Sequence, residues 1–278
     1  MALGLKSSIS SSSGKLQTPH GYKFAGNRPI AWWDSTYGVT YDGSNKVSSW
    51  KSRFPSGTRD DWELTQSTGV RQPTYDASNS SFNDLPSLEF NASSAFTALV
   101  GGAATNVHIT NPVILVAAHN SSLSHDRYLV AQFGGTDYQT DKDWILFALN
   151  TGSPKDARSI WATTTASNYF EYITLSPVTT TSGTSAVYAW RSGTVATTPT
   201  QWWRDKTATE GSATTRPTGV TYNFEMGGLT NFTNREWDGY ILECILFDAD
   251  STAFTNAEIL TLSEQMAARY DIPTEHDP

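Results

Sequence analysis

Acidic side chains at short spacing are the first residues in this sequence that could do chemistry. Glycoside hydrolysis needs two carboxylates, about 5–9.5 Å apart, that flank the bond to be cleaved. Asp61 and Glu63 are close in sequence, but no third acid follows them. Glu236 and Asp238 share strand parity, so their side chains are expected to face the same way, whereas Glu243 has the opposite parity. We therefore predict no catalytic residue.

Glu243 stands inside an apolar run, GYILECILFD, that extends from Gly239 to Asp248. Burying an ionised carboxylate is costly unless a partner compensates the charge. Two interpretations are open: a catalytic acid with a raised pKa, or a structural residue. We favour the structural one, in which Glu243 accepts hydrogen bonds from a neighbouring loop or an arginine and fixes the opening segment of the chain.

Metal ligation has one candidate, the segment TDYQTDKDW. Asp137, Asp141 and Asp143 offer hard oxygen ligands at a short spacing that suits Ca²⁺. The EF-hand spacing is absent, however, and Lys142 lies within the cluster, so we expect no cofactor and keep Ca²⁺ as the alternative. None of the five histidines has zinc-ligand spacing, and all are interpreted as loop residues: His20, His108, His119, His125 and His276.

Two adjacent tryptophans in TPTQWWRDK are the best candidates for ligand binding. Neighbouring residues on a strand point to opposite faces, so one ring of Trp202 and Trp203 is expected in the core and the other at the surface. A flat exposed ring suits stacking on a sugar or on a partner protein, and Arg204 and Asp205 would supply polar contacts. The alternative is that both rings pack under a long loop or at a contact between subunits.

Composition argues against several classes of partner. The chain of 278 residues carries a net charge of −8 and contains no basic stripe, so nucleic acid is not expected as a partner. No apolar run approaches the roughly 18 residues of a membrane span, so membrane insertion is not expected. Cys244 is the single cysteine, so no intrachain disulfide is expected.

The first 27 residues form a Ser-rich segment of low complexity. Its apolar residues Leu3, Leu5 and Ile9 are scattered among serines, so the segment lacks the continuous apolar stretch of about 7–15 residues that a signal peptide needs. Such a segment buries too little apolar surface to order by itself. We predict an extended arm that orders on another chain, in a protein made in the cytoplasm without an export signal.

Residues 28–273 show the pattern of one β-rich domain, followed by a short tail at 274–278. Short runs of β-branched and aromatic residues, separated by Gly, Pro, Asn or Ser, predict strands. The clearest runs are at 111–120, 128–135, 144–152, 169–175, 185–193, 223–229 and 239–248. Many strands at regular spacing indicate a sandwich or jelly roll, and the last run is apolar on both faces, so it is expected to be a central strand.

One helix is predicted near the end, in TNAEILTLSEQMAARY. Thr255 and Glu258 have the spacing of a capping box, and Pro273 stops any continuation. An apolar stripe at helical spacing is expected to dock on the sandwich, formed by Ile259, Leu262, Met266 and Tyr270.

The two ends of the chain together resemble a known family. WWDSTYGVTYDGSNKVSSWKSR is followed by LTQSTGVRQPTY and LPSLEFNASSAFTAL, and EWDGYILECILFD is followed by FTNAEILTLSEQMAARYDI. This ordered set is similar to the laminin-G-like, concanavalin A-like jelly-roll domains of bacterial surface proteins and bacteriophage virion proteins. The matching positions are Trp32, Asp34, Val47, Trp50, Gln66, Pro73, Pro86, Leu88, Phe90, Gly239, Ile241, Glu243, Arg269, Tyr270 and Ile272.

The resemblance implies an all-β fold of two antiparallel sheets packed face to face, with one C-terminal helix; the Ser-rich segment adds the extended N-terminal arm. The resemblance also implies that Trp32 and Trp50 anchor the opening segment in the sandwich. Asp34 is expected to satisfy turn amides, and Glu243 keeps its structural role. Trp33 has the opposite parity to Trp32 and is expected to stay free for an external contact.

From these features we predict a non-enzymatic bacteriophage virion protein, either a capsid decoration or a component of a tail fibre or spike. Its arm would attach it to other virion proteins, and we expect a homo-oligomer. Two alternatives stay open: a receptor-recognition module that binds host polysaccharide, and a polysaccharide depolymerase. Folds of this kind host lectins, hydrolases and structural modules, so the fold alone does not decide between them.

Overall fold

The computed structural model of the protein describes residues 20–24, 27, 29–53, 62–91, 97–102, 105, 109, 111–122, 127–132, 145–149, 157–162, 170–175, 182–191, 201–204, 207–210, 223–229, 236–249 and 254–273. In the strands at 145–149, 157–162, 170–175, 201–204 and 207–210 the description covers the backbone alone. Several predicted positions lie outside the described residues: Leu3, Leu5, Ile9, Asp137, Asp141, Asp143, Asp205 and the tail at 274–278.

Seventeen β-strands lie in the described residues and are numbered in chain order. They are β1 (Ala31–Asp34), β2 (Val39–Tyr41), β3 (Val47–Lys51), β4 (Glu63–Thr65), β5 (Thr74–Asn79), β6 (Leu85–Phe90), β7 (Leu99–Gly101), β8 (Pro112–Asn120), β9 (Arg127–Gln132), β10 (Ile145–Leu149), β11 (Ala157–Ala162), β12 (Phe170–Leu175), β13 (Thr184–Arg191), β14 (Gln201–Arg204), β15 (Thr207–Glu210), β16 (Phe224–Met226) and β17 (Gly239–Asp248). Their β-branched and aromatic residues suit a pleated, half-buried surface.

The strands form two antiparallel sheets that pack face to face. The first sheet has eight strands in the order β15-β14-β13-β8-β17-β6-β5, and β1 also pairs with β17. The second sheet has nine strands in the order β12-β11-β10-β9-β16-β7-β4-β3-β2. Among the described strands, seven of the fifteen pairs join strands that are not consecutive in sequence, and such crossovers are typical of jelly rolls. The predicted all-β, concanavalin A-like sandwich is therefore confirmed.

Strand β17 is the central strand of the first sheet. It pairs with β8 along its length, and on its other side with β6 at Gly239–Ile241 and with β1 at 243–246. The register with β8 shifts between Ile241 and Glu243, where the partner on the other side changes. Eight of its ten residues are buried, which confirms the prediction of a strand covered on both faces.

Helix α1 spans Asn256–Arg269 and begins with the predicted capping box. The Thr255 amide donates to the Glu258 carboxylate at 2.7 Å, and the Thr255 hydroxyl accepts from the Glu258 amide at 3.4 Å. These bonds satisfy donors that the first turn would otherwise leave unpaired. In the described part of the chain, no helix combines the length and apolar character needed to cross a membrane.

Two apolar clusters hold the layers together. The inner cluster fills the space between the two sheets, and the outer cluster lies between the first sheet, α1 and residues near the N-terminus. The largest side chains of the inner cluster are Trp33, Trp50, Trp62, Trp190 and Trp237. The outer cluster includes Tyr22, Phe24, Trp32, Phe247, Ile259, Leu262, Met266 and Tyr270, so the predicted helical stripe docks on the sandwich.

The adjacent tryptophans of β1 fill different clusters. Trp33 is 0% exposed and stacks on Phe224 in the inner cluster, with 4.9 Å between ring centroids. The prediction that Trp33 stays free for an external contact is therefore wrong. Trp50 shares the inner cluster, whereas Trp32 lies in the outer one. Strand parity separates the two rings as expected, but both faces of β1 are covered, so neither ring reaches solvent.

The packed body starts earlier than the sequence indicates. Tyr22 and Phe24, predicted to belong to the arm, are each 2% exposed and contact the Trp32 ring at centroid distances of 5.6 and 5.7 Å. The backbone amide of Lys23 donates to the Gln265 side chain on α1 at 3.0 Å. The aromatic residues explain the correction, because they supply apolar surface that the Ser-rich residues before them lack.

Candidate functional site

Two carboxylates meet where β1 joins β17. Asp34, the last residue of β1, is the register partner of Glu243. Directly paired residues of antiparallel strands lie on the same face of a sheet, and both carboxylates are completely buried on the side of the outer cluster. Two acids in contact with the core require compensating donors.

Asp34 has donors on three sides. Arg53 Nε donates to its carboxylate at 2.7 Å, Arg269 Nη2 donates at 3.1 Å, and His20 Nε2 lies at 2.5 Å. The Thr36 amide donates at 2.8 Å, which is the turn-amide contact expected at this position. Burial acts to raise the pKa of Asp34, but His20, Arg269, Thr36 and Arg53 together hold that pKa well below its usual range.

Glu243 is enclosed by donors from the opening segment and from α1. The Tyr22 hydroxyl donates to it at 2.8 Å, the Trp32 indole Nε1 at 2.5 Å and Arg269 Nη1 at 3.4 Å. Burial raises the pKa of Glu243 to about 7, although Arg269 acts in the opposite direction. The arginine and the opening segment expected around a structural Glu243 are thus both present, and its contribution to stability stays a prediction.

Two neighbouring carboxylates with pKa values pushed apart are an arrangement that acid–base catalysis uses. Here the side chains of Tyr22, Trp32 and Arg269 cover Glu243, and no part of either acid is exposed. Neither carboxylate presents a face to a substrate. The network instead joins the N-terminal residues, β1, β17 and α1, and we name it the acid–arginine network: Asp34, Glu243, Arg53 and Arg269.

The predicted tryptophan pair lies in β14, one strand from an edge of the first sheet. Trp202 is the register partner of Trp190, and Trp203 is the register partner of Ala189. Strand β15 pairs with the other side of β14. The structure describes only the backbone of Trp202, Trp203 and Arg204, so their role in ligand binding stays a prediction.

A row of half-exposed side chains crosses the outer face of the first sheet. Successive register pairs link its members across β13, β8, β17, β6 and β5. Paired residues share a face, so the five side chains form one line, about 19 Å long for a strand spacing of about 4.8 Å. We name it the outer row; its members are Ser185, His119, Tyr240, Glu89 and Thr74, and each is half-exposed.

The centre of the outer row is aromatic. The rings of His119 and Tyr240 are 5.9 Å apart, and Phe82, from the 3₁₀ turn after β5, packs edge-on to both at 5.9 and 5.8 Å. His119 Nδ1 lies 3.0 Å from the Ser185 hydroxyl. Burial lowers the pKa of His119, so the imidazole is neutral at neutral pH and can either donate or accept a hydrogen bond.

The acidic end of the outer row faces solvent. Glu89 is the register partner of Tyr240, and Asp76 lies two residues from Thr74 on the same face of β5. Burial, followed by the charges of Glu89 and Asp76, raises the pKa of Tyr240. Glu89 pairs through its backbone with β17 and β5, and among the residues that the structure describes its carboxylate has no hydrogen-bond or ion-pair partner. Lys46 Nζ donates to the Thr74 hydroxyl at 2.9 Å at this end of the row. The row thus offers an aromatic centre, hydroxyl groups and the carboxylate of Glu89.

Sequence reasoning missed the outer row because its residues lie on five strands that only the sheet register brings together. It also placed every histidine in a loop, which is wrong for His119 in β8. One signal was available: polar or aromatic residues stand near the ends of apolar runs. His119 is the last residue but one of NPVILVAAHN, Ser185 begins SAVYAWR and Tyr240 begins the apolar part of GYILECILFD. That signal shows where each residue lies along its own strand, but it does not show which residues of the neighbouring strands lie beside it.

A second aromatic surface lies where the β2–β3 hairpin meets β5. Tyr41 stacks on Tyr75 at 4.5 Å between ring centroids, and the Arg53 guanidinium lies 4.6 Å from the Tyr37 ring centroid. Tyr37 and Tyr41 are 45% and 46% exposed. We name this surface the tyrosine edge: Tyr37, Tyr41 and Tyr75. It is an alternative place for a stacked ligand.

Metal ligation and thiol chemistry find little support in the described residues. No group of three or more His, Cys, Asp or Glu side chains in that part of the chain is placed to hold a metal ion. Cys244 is buried in β17, and burial, with Glu243 nearby, raises the pKa of its thiol. A buried thiol of this kind packs as a small apolar group.

No protein-family model matches the sequence, and no curated protein matches it either. Solved structures with a similar fold include domain 4 of a GH43 extracellular arabinanase from Geobacillus stearothermophilus, in complex with arabinotriose. It is 13% identical, with a TM-score of 0.51, and the match covers 85% of this chain and 98% of that one. They also include Trypanosoma rangeli sialidase in complex with 2,3-difluoro-KDN, at 11% identity and a TM-score of 0.51, covering 86% of this chain and 32% of that one.

The chain therefore spans about a third of the length of the sialidase that it matches. At these identities the likeness shows the fold alone, and it supports the jelly-roll part of the sequence resemblance but not its bacteriophage part. It contradicts the prediction of a non-enzymatic protein, because this fold occurs within a sialidase and an arabinanase. The likeness assigns no activity to this chain.

Proposed function

We propose that this protein is a carbohydrate-binding β-sandwich module that holds a glycan along the outer row. The observation that carries the proposal is the register of five half-exposed side chains on five neighbouring strands. A straight line about 19 Å long suits an extended chain of several sugar rings better than a single small molecule.

The chemistry of the outer row matches that of a sugar chain. Sugar rings present hydroxyl groups around their edge and apolar C–H groups on their faces. The Tyr240 ring offers a surface for an apolar face, and its hydroxyl offers a hydrogen bond at the same place. Glu89 accepts strong hydrogen bonds from sugar hydroxyls because its carboxylate is charged, and Ser185 and Thr74 both donate and accept.

The sheet beneath the outer row is packed against the inner cluster, which favours binding. Three of the five residues lie on β8, β17 and β13, whose inward side chains are packed in the inner cluster. A prepositioned surface loses little conformational entropy when a ligand binds. The likeness to an arabinanase domain in complex with arabinotriose supports the proposal by analogy of fold alone.

Screening the protein on a glycan array, followed by calorimetric titration of the strongest ligand, tests the proposal. We expect Tyr240→Ala to weaken the affinity about tenfold or more, because a central aromatic contact is lost. Tyr41→Ala is the control, since it removes a more exposed tyrosine ring from the tyrosine edge. This control should bind within about twofold of the unsubstituted protein.

Two results would overturn the proposal. One is the absence of binding to any arrayed glycan at concentrations up to about 1 mM, the weak end of specific binding. The other is loss of binding in Tyr41→Ala with no effect of Tyr240→Ala, which would move the glycan to the tyrosine edge. The Trp202 and Trp203 prediction is tested in the same way, with Trp203→Ala as a third variant.

The predicted attachment to a bacteriophage particle, and the predicted homo-oligomer, remain proposals about the same module. Residues Leu3, Leu5 and Ile9 would carry the attachment. A deletion that tests the arm should stop at residue 19, because a longer one, extending to residue 24, would also remove Tyr22 and Phe24, which are packed in the body. Full incorporation of a variant lacking residues 1–19 into particles would overturn the role of the arm.

A further inference from the structure

The charges beside the outer row restrict the glycans that it can hold. We infer that the outer row selects glycans without anionic groups, with Glu89 and Asp76 as the residues that determine this specificity. The inference rests on the proposed function, because it names the ligand class of the same site. It excludes sialylated, uronic-acid and sulfated chains as preferred ligands.

The two acids stand at neighbouring positions on one face. Glu89 of β6 is the register partner of Tyr240 of β17, and Asp76 lies two residues beyond Thr74 on β5, on the same face as the outer row. Both charges act on the Tyr240 hydroxyl, so a ligand contacting that hydroxyl meets both. A carboxylate on the ligand would be repelled by each of them.

Among the described residues, Lys46 is the one cation in contact with a side chain of the outer row, and one charge does not balance two acids. Lys46 stands at the β5 end, where its ammonium donates to Thr74 at 2.9 Å and its backbone amide donates to Asp42 at 2.9 Å. The neutral His119 adds no charge at neutral pH. The net charge of the whole chain, −8, acts in the same direction at longer range.

Because the carboxylates of Glu89 and Asp76 are half-exposed, we expect them to weaken the binding of anionic ligands rather than to bind cations. Half-exposed charges interact through water and ions, so each pair changes affinity by about two- to fivefold. Two acids together would disfavour an anionic ligand by about four- to twenty-fivefold relative to its neutral counterpart. A difference of that size selects between ligand classes without preventing weak binding of the disfavoured one.

Matched pairs of glycans test the inference. We would compare lactose with 3′-sialyllactose, oligogalactose with oligogalacturonate, and hydroxyethyl cellulose with carboxymethyl cellulose, by titration or affinity electrophoresis at low and high salt. In every pair that binds, the neutral member should bind more tightly. The difference should shrink as added salt screens the charges.

The double variant Glu89→Gln and Asp76→Asn should raise the ratio of anionic to neutral affinity by about fourfold or more. Glu63→Gln is the matched control, because it removes one acid from the second sheet and should leave that ratio within about twofold. Equal or tighter binding of the anionic members by the unsubstituted protein would overturn the inference and leave the proposed function standing. Failure of every glycan to bind would instead overturn the proposed function, and the inference with it.

Discussion

Asp34 and Glu243 are register partners on β1 and β17, and the guanidinium of Arg269 contacts both carboxylates, at 3.1 and 3.4 Å. One arginine from the C-terminal helix therefore holds two acids from the opposite ends of the chain. The acid–arginine network closes the β-sandwich where its first strand, its last strand and α1 meet. We expect the acid–arginine network to stabilise the fold rather than to contact a ligand.

Replacing Arg269 with methionine should destabilise the protein strongly. The substitution keeps an extended apolar stem but removes the charge that compensates two buried carboxylates. Breaking a buried pair by removing one partner costs about 3–5 kcal/mol, so the free energy of unfolding should fall by about that amount. Urea denaturation followed by tryptophan fluorescence measures it.

Lys51→Met is the control for the loss of a cation. Lys51 is exposed and makes one distant ion pair, 3.8 Å from Glu63. Exposed pairs of this kind contribute about 0–1 kcal/mol. If Arg269→Met were no more destabilising than Lys51→Met, the network would not support the fold.

Glu243 should make stability depend on pH between its unfolded and folded pKa values. The pKa of Glu243 is raised from 4.5 to about 7, so the folded state binds the proton more tightly than the unfolded chain does. The stabilisation that comes from this tighter proton binding is complete below the unfolded pKa of 4.5 and is lost as pH rises through the folded pKa of about 7. The group should lower the free energy of unfolding by about 1–3 kcal/mol between pH 4.5 and pH 7.

Glu243→Gln should remove that slope, because the amide does not titrate. Denaturation of both proteins at pH 5, 6, 7 and 8 gives the comparison. Asp34 acts with the opposite sign: its pKa is lowered, so its contribution is present above its ordinary value of 3.8 and is lost in stronger acid. Parallel pH profiles of the two proteins between pH 5 and pH 7 would show that Glu243 does not titrate in this range.

Two truncations should separate the packed N-terminal residues from those before them. A protein starting at His20 keeps Tyr22 and Phe24, and one starting at residue 25 lacks both. Because each is 2% exposed and Tyr22 donates to Glu243, the shorter protein should be less stable than the longer one by at least about 3 kcal/mol. Equal melting profiles would mean that these residues do not pack on the body in solution.

Gly239 should tolerate no side chain. Its φ of +145° is unfavourable for other residues, and a Cβ would collide with the backbone carbonyl oxygen of His119 on β8. Gly239→Ala should cost at least about 1–3 kcal/mol and loosen the sheet below the outer row. Gly43→Ala is the control, because a Cβ there meets no neighbouring atom within 4 Å; similar stability losses in both variants would contradict this account.

The sequence predicts the fold well where a strand or helix carries its own signal. The apolar run of β17 and the capping box of α1 are explicit, and the structure has both. The glycine that the family motif places at 239 has a physical reason in the close approach of the His119 carbonyl. Local patterns of this kind are visible without knowledge of the neighbouring strands.

The sequence predicts less where tertiary contacts determine strand formation, side-chain burial or the grouping of residues. Strand β11, ARSIWA, lacks the apolar run that marks the other strands, yet it pairs on both sides in the second sheet. The burial of Trp33 follows from coverage of both faces of β1, which parity alone does not give. The outer row depends on the register of four strand pairs, so its residues cannot be grouped from the sequence.

The most direct test of the central claim is the ring signal of His119 in an NMR titration with the strongest array ligand. The protein has five histidines, and the signal that disappears in His119→Gln identifies this one. We predict that saturating glycan shifts the His119 signal and leaves the His20 signal in place, because His20 is held against Asp34 in the acid–arginine network. An unchanged His119 signal in the fully bound protein would contradict glycan binding along the outer row.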